Sequence, residues 1–163
     1  MKVLGIDPGL RITGYAVISA EAGTSRANGI KLLEAGVIRT SARAGIAKRL
    51  KKVYDSLSEL VDELRPDVLV LEKLYSHYNH PTTAILMGHA RGAVCLLSGV
   101  KGVPLISIAS THVKKAVTGR GHAPKGQVQR MVQNYMGLKV LPEPPDVADA
   151  LAVSLAYVFN KRK

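Results

Sequence analysis

Residues 46–72, IAKRLKKVYDSLSELVDELRPDVLVLE, decide the fold, because the hydrophobic period changes within them. Apolar residues fall at Ile46, Leu50, Val53, Leu57, Leu60, Val61 and Leu64. Lys48, Arg49, Lys52, Asp55, Glu59, Asp62 and Glu63 fill the other side. That spacing predicts an amphipathic helix, stopped at Pro66. Asp67-Val68-Leu69-Val70-Leu71-Glu72 follows as a near-continuous apolar run bounded by charge, as expected of a strand covered on both faces. Working towards the N-terminus, Ile30 to Thr40, Thr13 to Ser19 and Val3 to Asp7 read as three more strands, the first two in the chain turning at Pro8-Gly9. Working towards the C-terminus, the pattern predicts a helix over 82–98, a strand over Val103 to Ile108, and helices over about 110–118, 125–136 and 146–160, the last two opening after Pro124 and Pro144-Pro145. Strands interleaved with helices predict an α/β fold: a five-stranded mixed sheet flanked by helices.

The chain has 163 residues, a length that suits one domain over 1–163. The longest apolar runs, such as Val68 to Leu71 and Val103 to Ile108, lead us to expect no membrane span. Asp7 interrupts any apolar signal core, and the single Cys95 suits a reducing, cytoplasmic setting.

The net charge is +11, and it is unevenly placed. Positions 1–72 carry 11 basic and 9 acidic residues, whereas 73–145 carry 9 basic residues and one acid, together with all five histidines. A concentrated surplus of Lys and Arg attracts a polyanion, because neutralising phosphates releases condensed counterions. Nucleic acid is the partner this favours over a mere solubility surplus.

Against that basic background the acids stand out. Asp7 and Glu72 each end an apolar strand, and strand ends of one sheet open into a shared crevice. A carboxylate placed directly after four apolar residues is expensive unless paired or bound to a cation. Asp146 and Asp149, at i and i+3, share one side of the last helix, with Val147, Leu151, Leu155 and Val158 as an apolar stripe opposite. Read alone, the two also fit an N-cap and a first-turn acid. Oxygen ligands without cysteine suit Mg²⁺ or Mn²⁺ better than zinc, and two such ions would activate a water and stabilise the departing oxygen of a phosphodiester. The expected chemistry is that of a metal-dependent nuclease. Alternatives are a non-catalytic DNA-binding module, an actin-like ATPase suggested by Ile6-Asp7-Pro8-Gly9, and a related-fold ribonuclease.

Several motifs occur in order: Ile6-Asp7-Pro8-Gly9 with Thr13-Gly14-Tyr15, Leu71-Glu72 with Tyr75, Gly88-His89-Ala90-Arg91-Gly92, Val113-Lys114, Lys125-Gly126-Gln127-Val128, and Asp146-Val147-Ala148-Asp149-Ala150-Leu151-Ala152. From residue 1 to about 160 the set resembles the RuvC family of bacterial Holliday-junction resolvases. The resemblance implies a ribonuclease-H-like fold and a homodimer with two active sites. It implies magnesium-dependent nicking of two opposed strands of a four-way junction, in recombination and repair, and delivery of the junction by the RuvA-RuvB branch-migration complex. It assigns Asp7, Glu72, Asp146 and Asp149 as catalytic metal ligands for two Mg²⁺ ions, Lys114 and Lys125 as DNA contacts near the scissile phosphate, and Tyr75 as a residue that stacks on a junction base. Lys73 departs from the family pattern, where Gln or Glu is expected.

Overall fold

The computed structural model describes residues 1–21, 29–73 and 81–161. In chain order its elements are β1 (Lys2–Asp7), β2 (Ile12–Ala20), β3 (Ile30–Arg39), α1 (Ile46–Leu64), β4 (Val68–Glu72), α2 (Pro81–Lys101), β5 (Leu105–Ile108), α3 (Ser110–Thr118), α4 (Lys125–Met136) and α5 (Pro145–Lys161). The sheet order is β3-β2-β1-β4-β5. β1, β2 and β3 pair antiparallel with one another, while β1, β4 and β5 pair parallel. This is the five-stranded mixed sheet that the residue pattern predicts, and its order is that of the ribonuclease-H-like fold the resemblance implies.

Strand alternation sorts the core into two layers. Val3, Val68 and Val70 face one side, where α3, α4 and α5 pack. Leu4, Ile6, Leu69 and Leu71 face the other, against Val53 and Leu57 of α1 and Val94 and Leu97 of α2. Each of these last four strand residues is fully buried, and a buried Leu or Ile contributes about 1.5–3 kcal/mol relative to exposure. Helix α1 ends as expected before Pro66, with Arg65 left-handed (φ 46°) and the Leu64 carbonyl accepting from Lys2 Nζ at 2.9 Å. β5 begins two residues later than expected. Pro104 has no N–H to give the ladder, and contributes only its carbonyl, to the Leu69 amide at 2.8 Å.

One expectation is corrected. Helix α5 is not a one-stripe helix, because it is covered by the sheet on one side and by α3 and α4 on others, so that Ala148, Ala150, Ala152 and Ala156 are as buried as Leu151 and Leu155. Its one buried hydroxyl, Ser154, donates to its own helix's carbonyls, Ala150 and Leu151, both at 3.0 Å. By length and composition alone, residues 82–101 also reach what a membrane-crossing helix needs, with a mean hydropathy of 1.3. Arg91 inside that stretch is tied to the sheet, and Ala90, Val94 and Leu97 are buried against the protein.

Candidate active site

Register brings the first two carboxylates together. Parallel pairing runs Val3↔Val68 to Ile6↔Leu71, so the next positions, Asp7 and Glu72, stand side by side at the carboxyl rim of the sheet. Alternation then places both on the α5 side, in line with Val3 and Gly5 and with Val68 and Val70. Backbone contact brings α5 to them. A Cβ on Gly5 would lie 2.3 Å from the Ala150 carbonyl oxygen, and one on Gly14 would lie 2.1 Å from that of Asp146. Only glycine lets the helix start this close to the sheet. The turn after Asp7 is equally confined: a Cβ on Gly9 would meet the Ile12 carbonyl at 2.3 Å, and buried Thr13 donates its hydroxyl to the Gly9 carbonyl at 2.7 Å.

Asp7, Glu72, Lys73, Lys114, Lys125 and Asp149 line one cleft of about 230 Å³. Asp146 does not line it, yet its charge reaches Asp7. Burial pushes the Asp7 carboxyl up to about 7, helped by the charges of Asp149, Asp146 and Glu72 and opposed by Lys125. Burial raises Glu72 as well, against a hydrogen bond from Ser110 and the charges of Lys114 and Lys125. Lys125 Nζ sits 2.7 Å from Asp149 Oδ2. Desolvation works against its charge, but the bond to Asp149 and the charges of Asp149, Asp7 and Asp146 prevail and leave its pKa above the usual lysine value. The ammonium thus serves as the counter-ion of an acidic cluster that is costly to assemble uncompensated.

Among the described residues, no three His, Cys, Asp or Glu side chains are gathered closely enough to hold one ion as they stand. The donor set is nonetheless all carboxylate oxygen, mutually repelling and partly neutralised by a borrowed cation, which is the chemistry a hard divalent ion satisfies. Tyr75 lies outside the described residues.

Two features escaped the sequence reading. Arg91, seen there only as part of a motif, donates from Nη1 to the Glu72 carbonyl at 2.6 Å and from Nη2 to Ser107 Oγ at 2.5 Å. The other is a second basic region. From Glu34 to Asp55 no acid occurs, while Arg39, Arg43, Lys48, Arg49, Lys51 and Lys52 do. Counting charges over 1–72 as a whole hid it beneath the acids at the far end of α1. Arg39 pairs with Ile12 across the β2–β3 ladder, and α1 begins just beyond, so this run borders the same carboxyl rim as Asp7. Arg11, Arg39, Arg43 and Lys48 are exposed, and among the described residues none of them has an acidic partner within 4.0 Å.

Comparison with known proteins agrees with this geometry. A family model described as crossover junction endodeoxyribonuclease RuvC matches residues 3–157. The crossover junction endodeoxyribonuclease RuvC of Rhodopirellula baltica is 48% identical over 160 residues, covering 97% of this chain and 87% of that protein. Its namesake from Moorella thermoacetica is 43% identical over 157 residues, covering 96% and 90%. The structure of T. thermophilus RuvC in complex with a Holliday junction substrate superposes with a TM-score of 0.91 at 33% identity, covering 99% of this chain and 95% of that one. The yeast mitochondrial Holliday junction resolvase Ydc2, at 14% identity and a TM-score of 0.66, shares the fold. A nuclease-like rim of carboxylates and lysines, a ribonuclease-H-like sheet and matches over nearly the whole length therefore converge, and the chain belongs to the RuvC family of crossover junction endodeoxyribonucleases.

Proposed function

We propose that this chain resolves Holliday junctions by hydrolysing one phosphodiester in each of two opposed strands, leaving nicked duplexes that a ligase can seal, and that 1–163 acts as one nuclease domain. The observation that carries the reading is the shared cleft of Asp7, Glu72 and Asp149 with Lys114 and Lys125. RuvC-family nucleases use divalent metal ions, and Asp7, Glu72, Asp146 and Asp149 are the residues that would hold two Mg²⁺ here, with Mn²⁺ able to replace them. When bound, the ions activate water and stabilise the leaving oxygen.

The chain's own residues do the rest. Asp7, on the strand beside Glu72 and within reach of the charges of the helix aspartates, would be a ligand common to the cluster, and Asp149, which Lys125 neutralises here, would be another. Lys114 and Lys125, which line the same cleft, would meet the phosphate beside the cut. Tyr75 stacks on a junction base. The exposed Arg11, Arg39, Arg43 and Lys48 extend the basic path away from the cleft along one duplex arm.

Two cuts in opposed strands need two active sites, and α2 supplies a face for a homodimer. Ile85, Leu96 and Val100 are each about 60% exposed, and beside them Leu50, Tyr54, Gly92 and Ala93 line a shallow apolar groove. Exposed apolar area of that kind favours a protein partner. RuvA and RuvB would deliver the junction, and the setting is the cytoplasm.

The test is cleavage of a four-way junction, a linear duplex and an RNA–DNA hybrid in Mg²⁺. The junction alone should be cut, at paired positions, and Asp7→Asn should lower the rate at least about 1,000-fold while binding persists. Cutting of the hybrid in preference to the junction would overturn the assignment.

A further inference from the structure

The amides of β4 alternate between its two neighbours. Leu69 and Lys73 donate to the carbonyls of Pro104 and Ile108, both at 2.8 Å, so the odd positions hydrogen-bond towards β5. The even positions, Val68, Val70 and Glu72, therefore turn their backbone groups towards β1. In the Val3↔Val68 register, the N–H that would reach the Glu72 carbonyl belongs to position 8. That residue is Pro8, which has none. The carbonyl of the last residue of β4 is thus left without a ladder donor at the point where the cleft opens. Arg91 supplies the donor from α2, with Nη1 at 2.6 Å, and its other amino group is held by Ser107 Oγ on β5 at 2.5 Å.

We infer that Arg91 is a positioning residue: its guanidinium replaces the backbone donor missing at Pro8 and holds the end of β4, and so the Glu72 carboxylate, in the orientation that the metal site requires. It reaches the carboxylate through the backbone and not as a neighbouring charge, since the cations that act on the Glu72 carboxylate are Lys114 and Lys125. Ser107 fixes the guanidinium plane, so both of its bonds are directional, as a planar fork permits. Because Arg91 stands on α2, the helix proposed as the dimer face is also pinned to the strand that carries Glu72. The inference rests on Glu72 being a metal ligand.

Arg91→Met, Ser107→Ala and the double variant test it by single-turnover cleavage of prebound junction across a Mg²⁺ titration, with junction affinity measured separately in Ca²⁺. Arg91→Met should lower the cleavage rate about 10–100-fold and move the Mg²⁺ midpoint upward by a similar factor, with junction affinity unchanged within twofold. Ser107→Ala should cost less, and should add nothing in the Arg91→Met background, because the two side chains act through one contact. A rate and Mg²⁺ midpoint within twofold of wild type in Arg91→Met would overturn the inference. So would a loss of junction affinity large enough to account for the whole effect, which would make Arg91 a DNA contact. Glu72→Gln separates this from the underlying reading: if that variant still cleaves, the metal-ligand assignment itself fails, whereas an inactive Glu72→Gln beside a normal Arg91→Met removes only the role of Arg91.

Discussion

Helices α2 and α5 are both rich in small and apolar residues, yet they end in opposite situations. α5 is enclosed by the sheet, α3 and α4, whereas α2 leaves Ile85, Leu96 and Val100 exposed. Glycines show the difference at atomic scale. The sheet glycines under α5, Gly5 and Gly14, leave no room for a methyl group, while a Cβ on Gly88, Gly92 or Gly99 of α2 would meet nothing within 4 Å. The lesson is that similar composition serves two purposes. α5 carries Asp149 into the cleft and is seated there by close packing against the sheet, α3 and α4. α2 leaves large apolar side chains uncovered, as a docking face would.

The sharpest way to break this comparison is to add one methyl group to each region. Gly14→Ala should destabilise the protein by about 3 kcal/mol or more and lower Tm by roughly 6–12 °C, since Asp146 cannot retreat without moving α5. Gly99→Ala should be neutral or stabilising by up to ~1 kcal/mol, because alanine is the better helix former and nothing is in its way. Calorimetry of the two variants decides it, and equal effects would dissolve the distinction. Next in size is a charge on the open face. Ile85→Glu with Leu96→Glu should leave protomer Tm within a few degrees of wild type but shift sedimentation to the monomer and abolish paired nicking. A dimer that survives both substitutions would place the interface elsewhere.

A smaller effect concerns what α5 does to Asp7. The folded carboxyl titrates at about 7, well above its ordinary value of 3.8, so between those values the unfolded chain releases a proton that the fold retains. The stabilisation is complete below the unfolded value and is lost as pH rises through the folded one. Asp7→Asn, which has no proton to lose, should therefore gain in Tm relative to metal-free wild type as the pH rises from 4 to 8. A pH-independent difference would mean that the cluster is not strained by its charge. The smallest expected change lies at the second basic region. Arg43→Ala and Lys48→Ala should each reduce the slope of log junction affinity against log salt by about 1, and an unchanged slope would remove them from the DNA path.

Much of this was legible in the residues. The change of period at Pro66 marked a helix and a strand, and Asp7 and Glu72 drew notice because each closes an apolar run where an uncompensated charge is costly. The pairing of Asp146 with Asp149 was visible as an i, i+3 spacing. That Asp149 lines the cleft while Asp146 stands beside it was not, because the choice depends on how α5 is rotated and seated over Gly14. Arg91 was visible as a motif member without a task. Its task arises only when register 3↔68 sets Pro8 opposite the Glu72 carbonyl, a relation between residues 64 positions apart.

What the sequence by itself determined is local: the elements, the oxygen-rich ligand set, the basic surplus and the family. These follow from periods of two and 3.6 residues and from residue chemistry, which neighbours along the chain suffice to express. The tertiary structure alone decided which carboxylates share a cleft, that Lys125 neutralises Asp149, that Arg91 completes a ladder broken by proline, and that one apolar helix is enclosed while another is left open. The physical reason is that burial and hydrogen-bond satisfaction belong to groups brought together across the sheet, so their cost and their partners exist only once strands are in register and helices have been seated on them.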